Sequence, residues 1–409
     1  MSRWLSPFSD VIAQPRAYAV AAALAAALVS ALPAAAQTPK PPEGFQTAAP
    51  FAILIDAESG TVLFEKNADQ LMFPASLSKL MTAEYVFNEI KQGRLNLEAE
   101  FVVSENAWRR GGAPSGGSTM YAPIHSRVKV QDLLQSVIIQ SGNDACIVLA
   151  EGLAGNESAF ATLLTRRARE LGLTKSTFAN STGLHDPNQR VTARELAKLS
   201  QHIIQAYPDL YRYYSEREFT WNKIRQQNRN PLLALNIGAD GLKTGFIKEA
   251  GYGLVGSAVQ NGLRLIVVVN GLPSAKERAD EGRRLLEWGF RGFESRFLFA
   301  EGETVGEAKV FGGNKGRVAL IGERAISILV PRGGSDKIVA RITYTGPLPA
   351  PVEKGRSIGK LMVWRGDNVA LEVPLQAAES VEQGTLSQRA FDAATELVIE
   401  IFRAGAERL

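Results

Sequence analysis

Ser76 and Lys79 stand three residues apart in the stretch Pro74-Ala-Ser-Leu-Ser-Lys-Leu-Met-Thr82. A serine hydroxyl is a weak nucleophile until a neighbouring base takes its proton. An amine one helical turn away is within reach of that hydroxyl. It becomes a usable base once burial or nearby cations lower its pKa. Leu77, Leu80, Met81 and Tyr85 follow Pro74 at i, i+3, i+4 and i+8, so the spacing predicts a helix to about Lys91 with Ser76 at its start and Lys79 on the same side. The start of a helix adds backbone N–H groups and a positive dipole end, where an oxyanion is stabilised. Taken alone, the four residues also read as an N-cap serine followed by a solvated lysine.

Two more polar stretches carry candidate chemistry. Gln140-Ser141-Gly142-Asn143-Asp144 interrupts two apolar helical runs; in the first, Leu133, Leu134, Val137 and Ile138 share a face. Its plainer reading is a helix–turn–helix capped by Ser141. Lys243-Thr244-Gly245-Phe246 begins a strand that leads into the apolar segments 252–259 and 263–269, whose Gln260-Asn-Gly262 link is a hairpin signal. His125, His185 and His202 are far apart and show no metal-ligand spacing, so neither a histidine triad nor a zinc site fits, and no metal or cofactor is expected. The lone cysteine, Cys146, lies in an apolar run and reads as a buried, inert thiol.

These segments need a scaffold. At 409 residues and 45% hydrophobic content the chain has enough for two domains, and a net charge of +4 makes no case for nucleic acid as a partner. Arg3, Arg16, the apolar run 17–32 and Ala34-Ala35-Ala36 read as a secretory signal over residues 1–36. Residues 51–56 and 61–65 read as a strand hairpin, 109–118 as a glycine-rich surface loop, and 157–171, 192–206 and 277–290 as helices. With the strands on either side they give an α+β domain over residues 37–296. From about Phe297 short β-type runs recur every ten residues or so, as in a small all-β sandwich over 297–385. The end, 386–409, is an amphipathic helix with Phe391, Ala394, Val398, Ile401, Phe402 and Gly405 in one stripe; it suits a membrane surface or packing on protein.

Ser76-x-x-Lys79, Ser141-Gly-Asn143 and Lys243-Thr-Gly245, in that order on an exported α+β chain, resemble the serine-type D-alanyl-D-alanine carboxypeptidases, the low-molecular-mass penicillin-binding proteins. The resemblance spans nearly the whole chain and extends to Ser141–Cys146, Phe219–Arg225 and Asn228-Arg-Asn230. It implies a penicillin-recognising domain, then a β-rich domain and a membrane-associating helix, on an enzyme at the outer face of the inner membrane. The implied reaction removes the terminal D-Ala from a peptidoglycan stem pentapeptide through an acyl-serine, and β-lactams would stall at that stage. By the same resemblance Ser76 is the nucleophile, Lys79 its base with Lys243 beside it, and Ser141 the proton relay to the leaving amine. Asn143 would bind the peptide amide. The N–H groups of Ser76 and Phe246 would form the oxyanion hole. Thr244 and Arg278 would take the terminal carboxylate, with Arg229 in support.

Two departures stand out. Gly142 occupies a place that is aspartate in the related motif set, and Phe246-Ile247 replaces the hydroxyl or His-Thr pair that often follows Lys-Thr-Gly. The second puts side-chain help for deacylation in doubt. A β-lactamase would share the nucleophile and lysine but would also need a placed carboxylate for fast deacylation, and the β-rich domain and terminal helix argue instead for a cell-wall enzyme. A D,D-endopeptidase differs only in the amine that leaves. A catalytically idle wall-binding scaffold is the reading from another class. Oligomeric state is not legible.

Overall fold

A computed structural model of the chain describes residues 44–333, 337–365 and 368–394; the signal segment 1–36 and most of the tail 386–409 lie outside them. The described residues fall into two compact units, one of 44–295 with Leu329–Pro331, the other of the remaining residues from Arg296 onward.

The first unit is built on a five-stranded sheet. Strands β1 (Phe51–Asp56) and β2 (Val62–Lys66) form the expected hairpin. Strands β3 (Ala239–Ile247), β4 (Gly251–Gln260) and β5 (Leu263–Leu272) form a meander nearly two hundred residues later. The order is β2-β1-β5-β4-β3, antiparallel throughout, and Phe51 pairs with Asn270 where β1 meets β5. Strand side chains alternate between faces. Ile53, Ile55, Val255, Ile266 and Val268 therefore join one apolar cluster, while Ala52, Leu54, Leu254, Val267 and Val269 join another. Both faces are covered, which explains the unbroken apolar run at 265–269.

Helix α1 (Lys79–Lys91), α2 (Asn143–Ala154), α3 (Glu157–Glu170) and α4 (Ala193–Ala206) contribute to the first cluster; α5 (Ala275–Gly292) covers the second face with Leu285, Leu286 and Phe290. A buried ionic knot fixes α1. Glu84, fully buried, accepts from Arg167 Nη2 of α3 at 2.9 Å and from the Tyr207 hydroxyl at 2.8 Å, with His202 Nε2 of α4 at 3.2 Å. Burial alone would push this carboxyl up, but the hydrogen bonds from His202 and Arg167 hold it below the usual range.

Three local expectations are corrected. The α-helix proper starts at Lys79; Ser76 belongs to a preceding 3₁₀ turn, Ala75–Ser78, entered through Ala75 at φ 49°. Arg109 to Gly111 are not loop but the end of a short helix, Glu105–Gly111, capped by the Ser104 side chain, which accepts from Ala107 N. Ser141 does not cap α2. Gly142 holds that position, and Ser141 sits in the left-handed region at φ 66° after a π-helical turn, Ser136–Gln140.

The second unit is β-rich, as the sequence suggests. Its largest sheet has six strands in the order Ile338–Tyr344, Ser357–Arg365, Asn368–Ala377, Arg317–Gly322, Thr304–Phe311 and Leu348–Pro349. Residues 386–394 are helical, with Leu386 82% and Phe391 73% exposed. The Asp392 carboxylate accepts from Gly312 N at 2.8 Å. Among the described residues no helix is long and apolar enough to cross a membrane.

Candidate active site

Lys79, on the first turn of α1, is the centre of the site. Its Nζ lies 3.0 Å from Ser76 Oγ and 2.8 Å from Asn143 Oδ1, and also donates to the Thr182 carbonyl. It is almost wholly shut from solvent: Lys79 is 1% exposed. Burial lowers its amine to about 8, and the charge on Arg229 acts in the same direction against the pull of Asp144. A neutral lysine keeps two N–H donors and one lone pair. Asn143 Oδ1 and the Thr182 carbonyl accept only, so they claim the two N–H groups and the lone pair is left for Ser76. The geometry thus makes an amine that can accept the proton of Ser76 Oγ.

The partners come from distant segments. Asn143 is brought in by the first turn of α2, and Asp144 beside it pins the loop above. The buried Asp144 carboxylate accepts from Thr119 Oγ1 at 2.6 Å and from Met120 N at 3.0 Å, while Asn143 N donates to Ser118 O at 2.7 Å. Gly142 answers the first departure: a Cβ there would stand 2.2 Å from Ser136 Oγ, so the turn has no room for an aspartate. Thr182 is delivered by the loop between α3 and α4. Gly183, at φ +83°, lets that loop press on the 3₁₀ turn, where a Cβ would meet Ala75 O at 2.0 Å.

Strand β3 forms the opposite wall. A Cβ on Gly245 would stand 3.1 Å from Pro74 O and 3.2 Å from Leu77 N, so the strand runs directly beside the turn that carries Ser76. Lys243 is buried and its Nζ donates to Thr244 O at 3.0 Å. Its amine lies well below the ordinary lysine value, first through burial, then through the charges of Lys79 and Arg229. Arg229 Nη1 donates to Ser118 Oγ at 2.6 Å. Burial lowers both Arg229 and Arg278, and Arg229 adds repulsion at Arg278. Four basic groups are thus drawn together with little acid to balance them, an arrangement that favours an anionic ligand.

Ser141 is present with its Oγ buried and without a hydrogen-bond partner among the described residues. Its left-handed backbone is a strain of the kind that clusters at working sites. Thr244 is buried, whereas Phe246 is 51% exposed and stacked on Tyr252. Cys146 lies in the same interior; burial pushes its thiol up to about 12, so it is neutral and inert, as its apolar run suggests.

Sequence reading missed three residues here. Thr182 offers only a carbonyl, which no side-chain pattern reveals. Tyr121, 47% exposed at φ 62°, is a bulky residue in the left-handed region beside the loop that holds Arg229. Tyr252 is masked by the apolar run of its strand.

Comparison with known proteins places the chain among relatives. Residues 35–274 match the D-alanyl-D-alanine carboxypeptidase family, and residues 293–383 match the C-terminal domain of penicillin-binding protein 5. The chain is 41% identical over 343 residues to D-alanyl-D-alanine carboxypeptidase DacC of Escherichia coli, covering 83% of this chain and 86% of that protein. It is 37% identical to DacA of Haemophilus influenzae, covering 85% and 88%. Crystal structures of penicillin-binding protein 5 from Haemophilus influenzae superpose with a TM-score of 0.74 at 38% identity, covering 83% of this chain and 98% of that one. Penicillin-binding protein D2 of Listeria monocytogenes in its ampicillin-bound form gives 0.55 at 31% identity, covering 61% and 99%.

Proposed function

The chain belongs to the D-alanyl-D-alanine carboxypeptidase family, and we propose that its reaction runs through an acyl-serine on Ser76, with Lys79 as base. It is a serine-type hydrolase of the cell wall, and peptidoglycan and β-lactams are its ligands. The observation that carries the residue assignment is the buried Lys79 amine, lowered to about 8 and 3.0 Å from Ser76 Oγ.

Ser76 Oγ attacks the carbonyl carbon of the penultimate D-Ala of a stem pentapeptide, and its proton passes to Lys79 Nζ. The N–H groups of Ser76 and Phe246 take the developing oxyanion. The C–N bond breaks, and the departing amine of the terminal D-Ala receives a proton through Ser141. Asn143 holds the peptide amide. Lys243, Thr244 and Gly245 line the strand side, while Arg278, with Thr244, takes the terminal carboxylate and Arg229 supports the cationic field. Water then cleaves the ester, leaving a tetrapeptide and free Ser76. A pentapeptide assay tests this: one D-Ala is expected per stem, and an amidated C-terminus should suppress release at least tenfold, the size of a lost charge-assisted contact of about 1.5–3 kcal/mol. Equal release from both peptides would refute the carboxylate assignment, release that stops at one D-Ala per enzyme would mark an acylation trap rather than a carboxypeptidase, and no release from either would refute the reaction itself.

We also assign the protein to the periplasm, held on the outer face of the inner membrane by its 386–409 segment, whose described part, 386–394, is helical. The outward Leu386 and Phe391 at the start of that helix support this reading. Deletion of 387–409 is expected to move the protein from the membrane to the soluble fraction on cell fractionation; unchanged distribution would favour a helix that packs on protein.

A further inference from the structure

Among the described residues no carboxylate pairs with Arg278. Its Nε is buried without a hydrogen-bond partner, and its guanidinium lies over the ring of Tyr252, with Cζ 5.7 Å from the centroid. Tyr252 is in turn stacked on Phe246, centroids 4.1 Å apart and planes at 28°. The two aromatics are a cross-strand pair, Phe246 on β3 opposite Tyr252 on β4. Thr244 precedes Phe246 by two residues and so faces the same side of the sheet, the side that α5 covers and on which it carries Arg278.

An arginine stem is long and flexible, and this one stands among like charges. A carboxylate partner would order it but would occupy the donors that a ligand needs. An aromatic face orders a guanidinium through its quadrupole while leaving the N–H groups unclaimed. We propose that Tyr252, backed by Phe246, is a positioning residue that holds Arg278 for the substrate carboxylate and so sets the selectivity for acyl donors that carry one. This rests on the reading of Arg278 given above. It also gives Phe246 a role at the position where the family often carries a hydroxyl or histidine.

The test uses the full chain and two probes, benzylpenicillin and its methyl ester, and reads the ratio of their second-order acylation rates. Tyr252→Leu is expected to lower that ratio roughly 3- to 10-fold, the scale of a partly desolvated cation–π contact, while Tyr252→Phe, which keeps the ring, holds it within about twofold of the parent. The ester rate serves as the folding control, since a misfolded variant loses both rates together. Arg278→Ala should collapse the ratio. If it does not, the carboxylate assignment fails and the role of Tyr252 with it. If Arg278→Ala collapses the ratio while Tyr252→Leu leaves it at the parent value, Arg278 keeps its role and the positioning by Tyr252 is overturned.

Discussion

Replacing Ser76 by alanine is expected to remove both D-Ala release and covalent labelling by a fluorescent penicillin, with a loss in turnover on the order of a millionfold, as when the nucleophile of another acyl-transfer serine enzyme is deleted. The loss is this large because no other hydroxyl is placed to substitute. Ser78, two residues on, is buried and turned away, its Oγ donating to Ala75 O at 3.0 Å. The substitution removes one of three contacts of Lys79 and leaves those to Asn143 and Thr182 in place, so the fold persists. Gel fluorescence checks the result: a band of parental intensity from Ser76→Ala would place the acyl group elsewhere.

Lys79→Ala carries the second large effect. Acylation by penicillin should fall by roughly 10²- to 10⁴-fold, the range of a positioned general base. The pH profile gives this loss its signature. The neutral amine is the active form, and burial brings Lys79 down to about 8. Its neutral fraction is about a tenth at pH 7 and about a hundredth at pH 6. Acylation by the parent should therefore climb about tenfold per pH unit below 8 and level off above it. In Lys79→Ala that rise should vanish. Lys243→Ala keeps the base, and burial with the charge on Arg229 still lowers it, so the rise should survive with little shift. A parental profile in Lys79→Ala would show that another group accepts the proton. Circular dichroism is needed beside the kinetics, since the truncation leaves Asn143 Oδ1 and Thr182 O without their donor, at about 1–3 kcal/mol each.

The scaffold was largely readable because its signals are local and repetitive. The run at 263–269 is apolar throughout, since both faces of β5 are covered. The Gln260-Asn-Gly262 turn and the 51–65 hairpin declare themselves by the same short-range rules. What stayed hidden depends on backbone conformation or register. A hydrophobic period does not separate a 3₁₀ turn from the first turn of an α-helix, so Ser76 was expected on α1 itself. A polar Ser-Gly-Asn break reads as a cap, yet the preceding π turn carries Ser141 past that position into the left-handed region. The Glu105–Gly111 helix is short, and Arg109-Arg110-Gly-Gly at its end outweighs its Ser104 cap as a loop signal. The motif residues themselves were visible by type and order, whereas their contacts were not: a main-chain oxygen from Thr182 and a ring from Tyr252 have no sequence signature of function.

The pairing of β1 with β5 has a consequence for when the protein begins to work. Ser76 and Lys79 leave the ribosome early, side by side, and for a long interval they are an ordinary alcohol and an ordinary ammonium ion. The amine loses its proton readily only after Asn143, Thr182 and the strand bearing Lys243 have closed around it, and β1 has no neighbour on that side until Leu265 to Asn270 exist. Contacts of such sequence separation form late. The nucleophile is therefore silent until the chain has been made at least as far as β5. Acylating power appears only when the first unit closes, so penicillin labelling doubles as a clock for its folding.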